Sequence, residues 1–464
     1  MDRRQRSIAL LVAGTFFMEN LDGTIVATAA PSMARSLGVS SVDIAVTITA
    51  YLLTLAVLIP LSGWLTQRWG VRTIFLSAIA VFTVASLLCA VSTNLLELTG
   101  FRILQGVGGA MMVPVGRLAV LRGTAKSDVI RAIALLTWPA LAAPVVAPLL
   151  GGLFTTYLTW HWIFLVNVPL GVAAFAVAFR LIPSGRQEKP PGLDWNGLVL
   201  TCGAVGSLVI FADVLAGVRV HWAPTAGLAG AASVLAALAI RHLLRTEHPL
   251  LTLRILRVAT FRMPHAGGSA FRMAVNAVPF LLPLMFQDAF GWSPVKSGAI
   301  VLFVFVGNLA IKPATTPLLM RFGFRTVLLT ATAGAVVSMV LNGLLRASTP
   351  IAVICLVMVF SGIARSVGFT AYNTIAFADV GPQELHDANT LSSTMQQIAA
   401  GFGVAVGAVA LRAGGPVAHL TQVTDPAGPY RIAFFLLALL AVIPVAEAVR
   451  TDRSAGEVLR AGRI

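Results

Sequence analysis

Apolar residues run along this chain in long unbroken stretches, without the two-residue alternation of half-buried strands. A helix that crosses a bilayer needs about 20 mostly apolar residues. Fourteen stretches meet that length, at 8–30, 46–66, 73–93, 98–118, 132–155, 162–182, 196–216, 223–244, 263–287, 298–319, 326–346, 350–372, 390–413 and 430–449. Strands of an outer-membrane barrel would be about 10 residues long and alternate in polarity. The pattern therefore predicts an all-α polytopic membrane protein with 14 transmembrane helices. Arg3, Arg4 and Arg6 ahead of the first stretch imitate a secretory leader. The run from Ile8 to Ala30 is too long for one and contains Glu19 and Asp22, so a retained first span is expected.

Composition agrees. Of the 464 residues, 57% are hydrophobic and 11% charged, and the mean hydropathy is +0.88. A soluble fold could not hide that much apolar surface from water, which excludes a soluble enzyme, a nucleic-acid-binding domain and a disordered chain. The net charge of +15 becomes an orientation signal. With the N-terminus inside, the inside segments hold 22 of the 33 Lys and Arg and the outside loops 6. That asymmetry predicts cytoplasmic N- and C-termini. The loop 373–389 has Asp379, Glu384 and Asp387 and no Lys or Arg, but acids weigh little in topology. Cys89, Cys202 and Cys355 stand singly and read as small buried apolar side chains, not as a zinc site or disulfides.

Two segments repeat. Residues 63–76 read GWLTQRWGVRTIFL and residues 316–329 read TPLLMRFGFRTVLL. At a constant offset of 253, Arg68 pairs with Arg321, Gly70 with Gly323, Arg72 with Arg325 and Thr73 with Thr326. Each falls between two spans, which puts span 9 in the role of span 1. The expected organisation is 6+2+6: a six-helix bundle at 1–182, two inserted helices with linkers at 183–262, and a second six-helix bundle at 263–464. Parallel halves of this kind build one large class of secondary transporters, with the substrate site near midplane between them.

Four motifs carry a family resemblance. LDGTIVATAAP, 21–31, resembles an acidic span 1 signature, with Asp22, Thr24 and Pro31 at its fixed positions. The loop at 63–76 keeps Gly63, Arg68, Gly70 and Arg72 of the pattern G-x-L-a-D-r-x-G-r-k, with Gln67 in place of Asp. FRILQGVGGAMMVP, 101–114, holds Arg102 in an R-x-x-Q-G-x-G-g-A segment. APLLGG, 147–152, keeps Pro148, Gly151 and Gly152 of G-P-x-x-G-G. WHWIFLVNVPLG, 160–171, is a further hallmark. Together these resemble the major facilitator superfamily, in its fourteen-span drug:proton antiporter branch (EmrB/QacA-like) and, within that, its MdtD-type transporters. The resemblance covers the whole chain. It implies the major facilitator fold, multidrug efflux by proton antiport, a bacterial cytoplasmic (inner) membrane location, a monomer and no cofactor. It puts Asp22 in the proton-coupling role and gives Arg102 a coupling or gating role. The exchange at Gln67 removes a charge partner expected to latch the two bundles.

The intramembrane charges give the chemistry. A charge at the bilayer centre costs about 2.5–3.5 kcal/mol on insertion scales, so such residues face a cavity, a partner or a substrate. The spans contain Glu19, Asp22, Arg102, Arg117, Asp213, Arg272, Lys312 and Arg365. Asp213 lies near a span end and reads as structural. Glu19 and Asp22, three residues apart, share a helix face. Carboxylates close together in a low-dielectric interior hold protons more tightly than in water, which is what antiport requires. The alternative for Asp22 is a static ion pair with a span 4 arginine. Arg272 and Arg365 are expected to face the central cavity, joined by Lys312, with Arg102 or Arg117 opposite. Guanidinium groups there favour carboxylates and phosphates, hence an anionic, zwitterionic or amphipathic substrate over a quaternary ammonium. Internal pairing of each arginine is the other reading. Pro139, Pro144 and Pro148 would kink span 5, and Trp160 and Trp162 fall where an interfacial belt belongs.

No G-x-x-x-x-G-K-[ST] loop, H-E-x-x-H or G-x-S-x-G is present, so neither ATP drive nor enzymatic chemistry is expected. The expected partners are a small-molecule substrate, protons and the lipid bilayer, and no nucleic acid. A passive facilitator or channel would not need a titrating acid in span 1. A non-transporting receptor of the same fold would tolerate loss of Asp22, Arg102 and the cavity arginines.

Overall fold

The computed structural model describes residues 3–122, 129–183, 192–216, 222–247, 249–381, 384–420 and 425–450. Among them all regular structure is helical. Helix α1 is Arg3–Leu37, α2 Ala45–Leu58, α3 Leu61–Trp69, α4 Val71–Ala90, α5 Leu95–Arg122 and α6 Val129–Tyr157. Then come α7 Trp162–Leu165, α8 Asn167–Leu181, α9 Trp195–Ala216 and α10 Trp222–Arg245. The remainder are α11 Ala259–His265, α12 Gly267–Leu284, α13 Pro294–Ala310, α14 Lys312–Leu344, α15 Ile351–Ile375, α16 Leu385–Leu420, α17 Gly428–Leu440 and α18 Val442–Arg450.

Each of the fourteen apolar stretches falls on helix, but stretches and helices do not correspond one to one. Eleven helices among the described residues are long and apolar enough to cross a membrane, or twelve when α2 and α3, bent by 58°, count as one span. Pro60 sits at that bend, where it has no N–H to continue the ladder. α13 and the apolar part of α6, Ala142–Tyr157, fall short of a full span, while α14 holds the end of one stretch and most of the next across a break at Gly323. The side chain of Asp213, parts of the basic segments 119–131 and 180–195, and residues 451–464 lie outside the described residues.

The sequence repeat has a structural counterpart. Gly70 (φ 82°, ψ 152°) and Gly323 (φ 77°, ψ 161°) share one backbone conformation, essentially confined to glycine and costing another residue about 1–3 kcal/mol. Just after each glycine an arginine reaches a helix C-terminus. Arg72 Nη2 donates to Phe179 O at 2.7 Å, and Arg325 Nη2 to Val449 O at 2.8 Å. Those terminal carbonyls lack intrahelical partners, and a cation there also complements the helix dipole. Helix crossings follow the same offset of 253. Gly106 on α5 packs on Thr54 of α2, and Val359 on α15 packs on Gly307 of α13. Gly109 meets Leu55, and Gly362 meets Asn308. Both crossings depend on glycine, whose lack of a Cβ lets the backbones approach closely.

α1, α2, α4, α5, α6 and α8 pack on one another, and α12–α17 form a second such group. The groups meet where α6 lies along α13 and α2 along α16. α9 and α10 form a hairpin, of which α9 touches both α2 and α16. Asp194 ties that hairpin. Its carboxylate caps α9 through Gly197 N (2.8 Å), meets His242 Nε2 of α10 (2.7 Å) and accepts from Leu250 N (3.1 Å). Burial acts to raise its pKa. The hydrogen bonds from His242, Gly197 and Leu250 outweigh burial and hold the group below the usual carboxylate value.

Two expectations change. Cys202 is exposed on α9, turned outward from the packed helices. Trp160 is buried against His161 and Phe164 and is no belt residue, whereas Trp162 is exposed.

Candidate functional site: a charged cavity between two helix groups

α1 contributes Asp22, which is wholly buried. Its Oδ2 pairs with Arg102 Nη1 of α5 at 2.5 Å. Its Oδ1 accepts from Gln105 Nε2 and from Asn167 Nδ2 of α8, each at 2.9 Å. Arg102 Nη1 also donates to Gln105 Oε1 (2.6 Å), and Gln105 Nε2 to Ser86 Oγ of α4 (2.7 Å). The guanidinium lies 4.0 Å from the centre of the Tyr51 ring of α2. One network thus joins five helices. A buried ion pair is tolerable only when its remaining lone pairs and protons are satisfied, and Gln105 and Asn167 do that for the carboxylate. Neither Asp22 nor Arg102 lines the two cavities between the helix groups described next.

Glu19, one turn earlier, differs. It lines a cavity of about 270 Å3 between the two groups. Its Oε2 has no hydrogen-bond partner, nor has the nearby Tyr51 Oη. Among the described residues Glu19 is in no ion pair. Opposite stand Lys312 and Arg365, beside Asn276 and Asn308. Arg365 Nη2 donates to Asn276 Oδ1 (3.0 Å) and Lys312 Nζ to Thr370 Oγ1 (3.1 Å). Arg365 Nε is buried without a partner. Neither cation is paired with an acid among the described residues.

A second cavity of about 420 Å3 runs from Glu19 and Gln397 towards Gly63, Thr66 and Arg117. Glu19 and Gln397 border both cavities, so the carboxyl stands at their junction. The other end is closed. Arg412 of α16 reaches Asp43 Oδ1 (2.8 Å) and Ser40 Oγ (2.6 Å), both in the loop after α1. Gln287 Nε2 donates to Thr28 O at 3.0 Å. Gly152 abuts Pro294 and Val295, and Gly298 abuts Pro148 and Leu149. A side chain at either glycine would collide with backbone, so these two residues allow the seal.

The family model described as Major Facilitator Superfamily matches residues 12–403 and 265–458. The chain belongs to the major facilitator superfamily. It is 35% identical over 435 residues to the "Putative multidrug resistance protein MdtD" of Cronobacter sakazakii, covering 94% of this chain and 92% of that one. It is 36% identical over 405 residues to the protein of the same name from Escherichia fergusonii, covering 86% and 85%. Among solved structures, a POT family transporter in complex with 5-aminolevulinic acid matches with a TM-score of 0.69 at 15% identity, covering 98% and 96%. A D-xylose-proton symporter matches with 0.66 at 13% identity, covering 97% and 98%. The superfamily fold accounts for the two helix groups. The protein is a multi-pass membrane transporter of small molecules, and its family is not enzymatic.

Within that superfamily frame, the sequence-expected residues separate. Arg365 and Lys312 line the cavity as expected. Arg272 does not. It is buried, held by Asn373 Oδ1 (2.5 Å) and Gln396 Oε1 (3.3 Å), with Phe369 between it and Arg365. Arg117 is exposed in the second cavity, and Arg102 is bound to Asp22. Gln67, Arg68 and Arg321 are exposed near the glycine breaks. Sequence reasoning passed over Gln105, Asn167, Tyr51 and Asn276. The first two stand inside quoted motifs, LQG and LVNVPLG, and are the polar residues of otherwise apolar runs. That was the available signal.

Proposed function

We propose that the protein is a proton-coupled exporter of small molecules bearing an anionic group, working by alternating access. Fourteen spans in a 6+2+6 order fit the helices when Gly323 divides α14 into two spans. The bundles are then 1–182 and 263–464, duplicated at an offset of 253, with 183–262 inserted. Positive-inside orientation puts the closed end outside and the second cavity on the cytoplasmic side of a bacterial inner membrane. The conformation is then the loading one, and the protein works as a monomer.

The observation that carries this reading is Glu19, an unpaired carboxyl at the junction of the two cavities, facing Lys312 and Arg365. Glu19 takes the proton-carrying role, since Asp22 already spends its oxygens on Arg102, Gln105 and Asn167. The two cations receive the anionic group. A proton entering a negative interior gains about 2.3 kcal/mol at about 100 mV, and a cargo leaves downhill as well where its net charge is negative.

The test uses everted membrane vesicles with an acid interior and a fluorescent pH reporter. Organic anions should dissipate the gradient through the intact protein, and Glu19→Gln should abolish the response. Dissipation by cationic dyes alone, or an undiminished response in the variant, would remove this reading.

A further inference from the structure

We propose that the cargo is bipolar: it carries a protonated amine received by Glu19 and Tyr51 as well as an acid group received by Arg365 and Lys312. This rests on the transport reading above and extends it to a second recognition subsite.

The two walls of the cavity have opposite sign. On the α1 and α2 side the polar groups without partners are acceptors for a cation: the Glu19 carboxyl and the Tyr51 hydroxyl. On the α14 and α15 side stand two cations, Lys312 and Arg365, hydrogen-bonded to neutral groups but facing no acid among the described residues, and Arg365 Nε has no partner. A buried charge without a counter-charge is costly. A plain anion neutralises one wall but offers nothing that would take the proton's place at Glu19. A plain cation satisfies Glu19 and meets two cations. An ammonium and an acid group on one molecule satisfy both walls. Between the poles the lining is apolar, with Leu52, Leu55, Phe280 and Phe305, which fits a hydrocarbon body. The amides Asn20, Asn276 and Asn308 donate and accept, and suit either end.

Coupling follows from competition. The titratable and charged groups around Glu19 are Asp22 on its own helix, Tyr51 of α2, Arg102 and Arg117 of α5, and Lys312 and Arg365 across the cavity. Asp22 and Arg102 neutralise each other. The cargo ammonium therefore displaces the proton from the Glu19 carboxyl, and the proton leaves to the cytoplasmic cavity. When the cargo departs outside, a proton from the outside takes its place. The cargo itself carries no net charge, so each cycle moves one charge and not two.

The test uses the full-length protein in lipid nanodiscs and calorimetry in two buffers of different ionisation heat. The probes are medium-chain ω-amino fatty acids, their N-acetyl derivatives and their methyl esters. The free amino acids should bind about tenfold or more tightly than either derivative, and binding should release a proton. Glu19→Gln should erase the preference over the N-acetyl form and keep the preference over the ester. Arg365→Gln with Lys312→Gln should do the reverse, so each variant controls for folding of the other. N-acetyl forms that bind as tightly as the free amines, or no binding by any member, would overturn the bipolar cargo. The vesicle gradient separates the two claims. Gradient dissipation by simple anions without an amine preference leaves antiport standing, whereas amine preference without dissipation removes antiport and keeps the subsite.

Discussion

Asp22 and Glu19 sit three residues apart on α1 and meet opposite surroundings. The sequence placed both on one helix face, and motif resemblance favoured Asp22 for proton work. What decides between them is the contact set, and that comes from α4, α5 and α8, far away in the chain. A sequence shows that Gln105 and Asn167 are polar; it does not show that both point at one carboxylate. Replacing one partner of a buried ion pair costs on the order of 3–5 kcal/mol. Asp22→Asn should therefore lower the thermal unfolding midpoint and the folded yield in detergent, and adding Arg102→Gln should restore part of the loss. Glu19→Gln should leave the midpoint near that of the intact protein. Equal stability losses in the two single variants would contradict this division of roles.

A charged contact joins the two helix groups at one end, and among the described residues no ion pair joins them at the other. Asp43 and Arg412 join the loop after α1 to α16. At the glycine breaks Gln67 stands where an acid was expected, and it is exposed. Half-exposed ion pairs contribute about 0.2–1 kcal/mol, enough to move a two-state population a few-fold. Arg412→Gln should shift the protein towards the form open at the Asp43 end, read as faster thiol labelling of a cysteine placed in the loop 38–44. Unchanged labelling would mean that helix packing alone sets the closure. The α9–α10 hairpin is tied by an acid-sensitive group, Asp194. Its carboxyl is held low, so its contribution is present above the unfolded value of about 3.9. That contribution is lost as pH falls through the folded value. Protection of the Gly197 and Leu250 amides from hydrogen exchange, measured against the intrinsic rate at each pH, should therefore fall under strong acid, and Asp194→Asn should lower it at neutral pH. At this scale helices were legible wherever apolar runs were long. The bend at Pro60 and the α13–α14 junction were not, because a bend within an apolar run leaves the hydropathy unchanged.

Across the whole molecule, bilayer length sets the reading. Lipid offers no partner for backbone groups, so long apolar runs become helices, and every stretch is helical. The repeat was legible through Gly70 and Gly323, whose shared backbone geometry few other residues tolerate. The cavity was half legible. Arg365 and Lys312 reach it, but Arg272 turns to Asn373 and Gln396, a rotation that span assignment does not fix. The placement of α9 has one further consequence. It overlies the seam between α2 and α16, while no described helix from outside the two groups overlies the seam between α6 and α13. Lipid-dissolved molecules that seek the interior sideways find one flank shuttered and the other bare. The Gly152 and Gly298 contacts shut that bare flank at one end, so entry from the leaflet would be one-sided and would pass between α6 and α13 only on the Pro144 and Phe305 side of the seal.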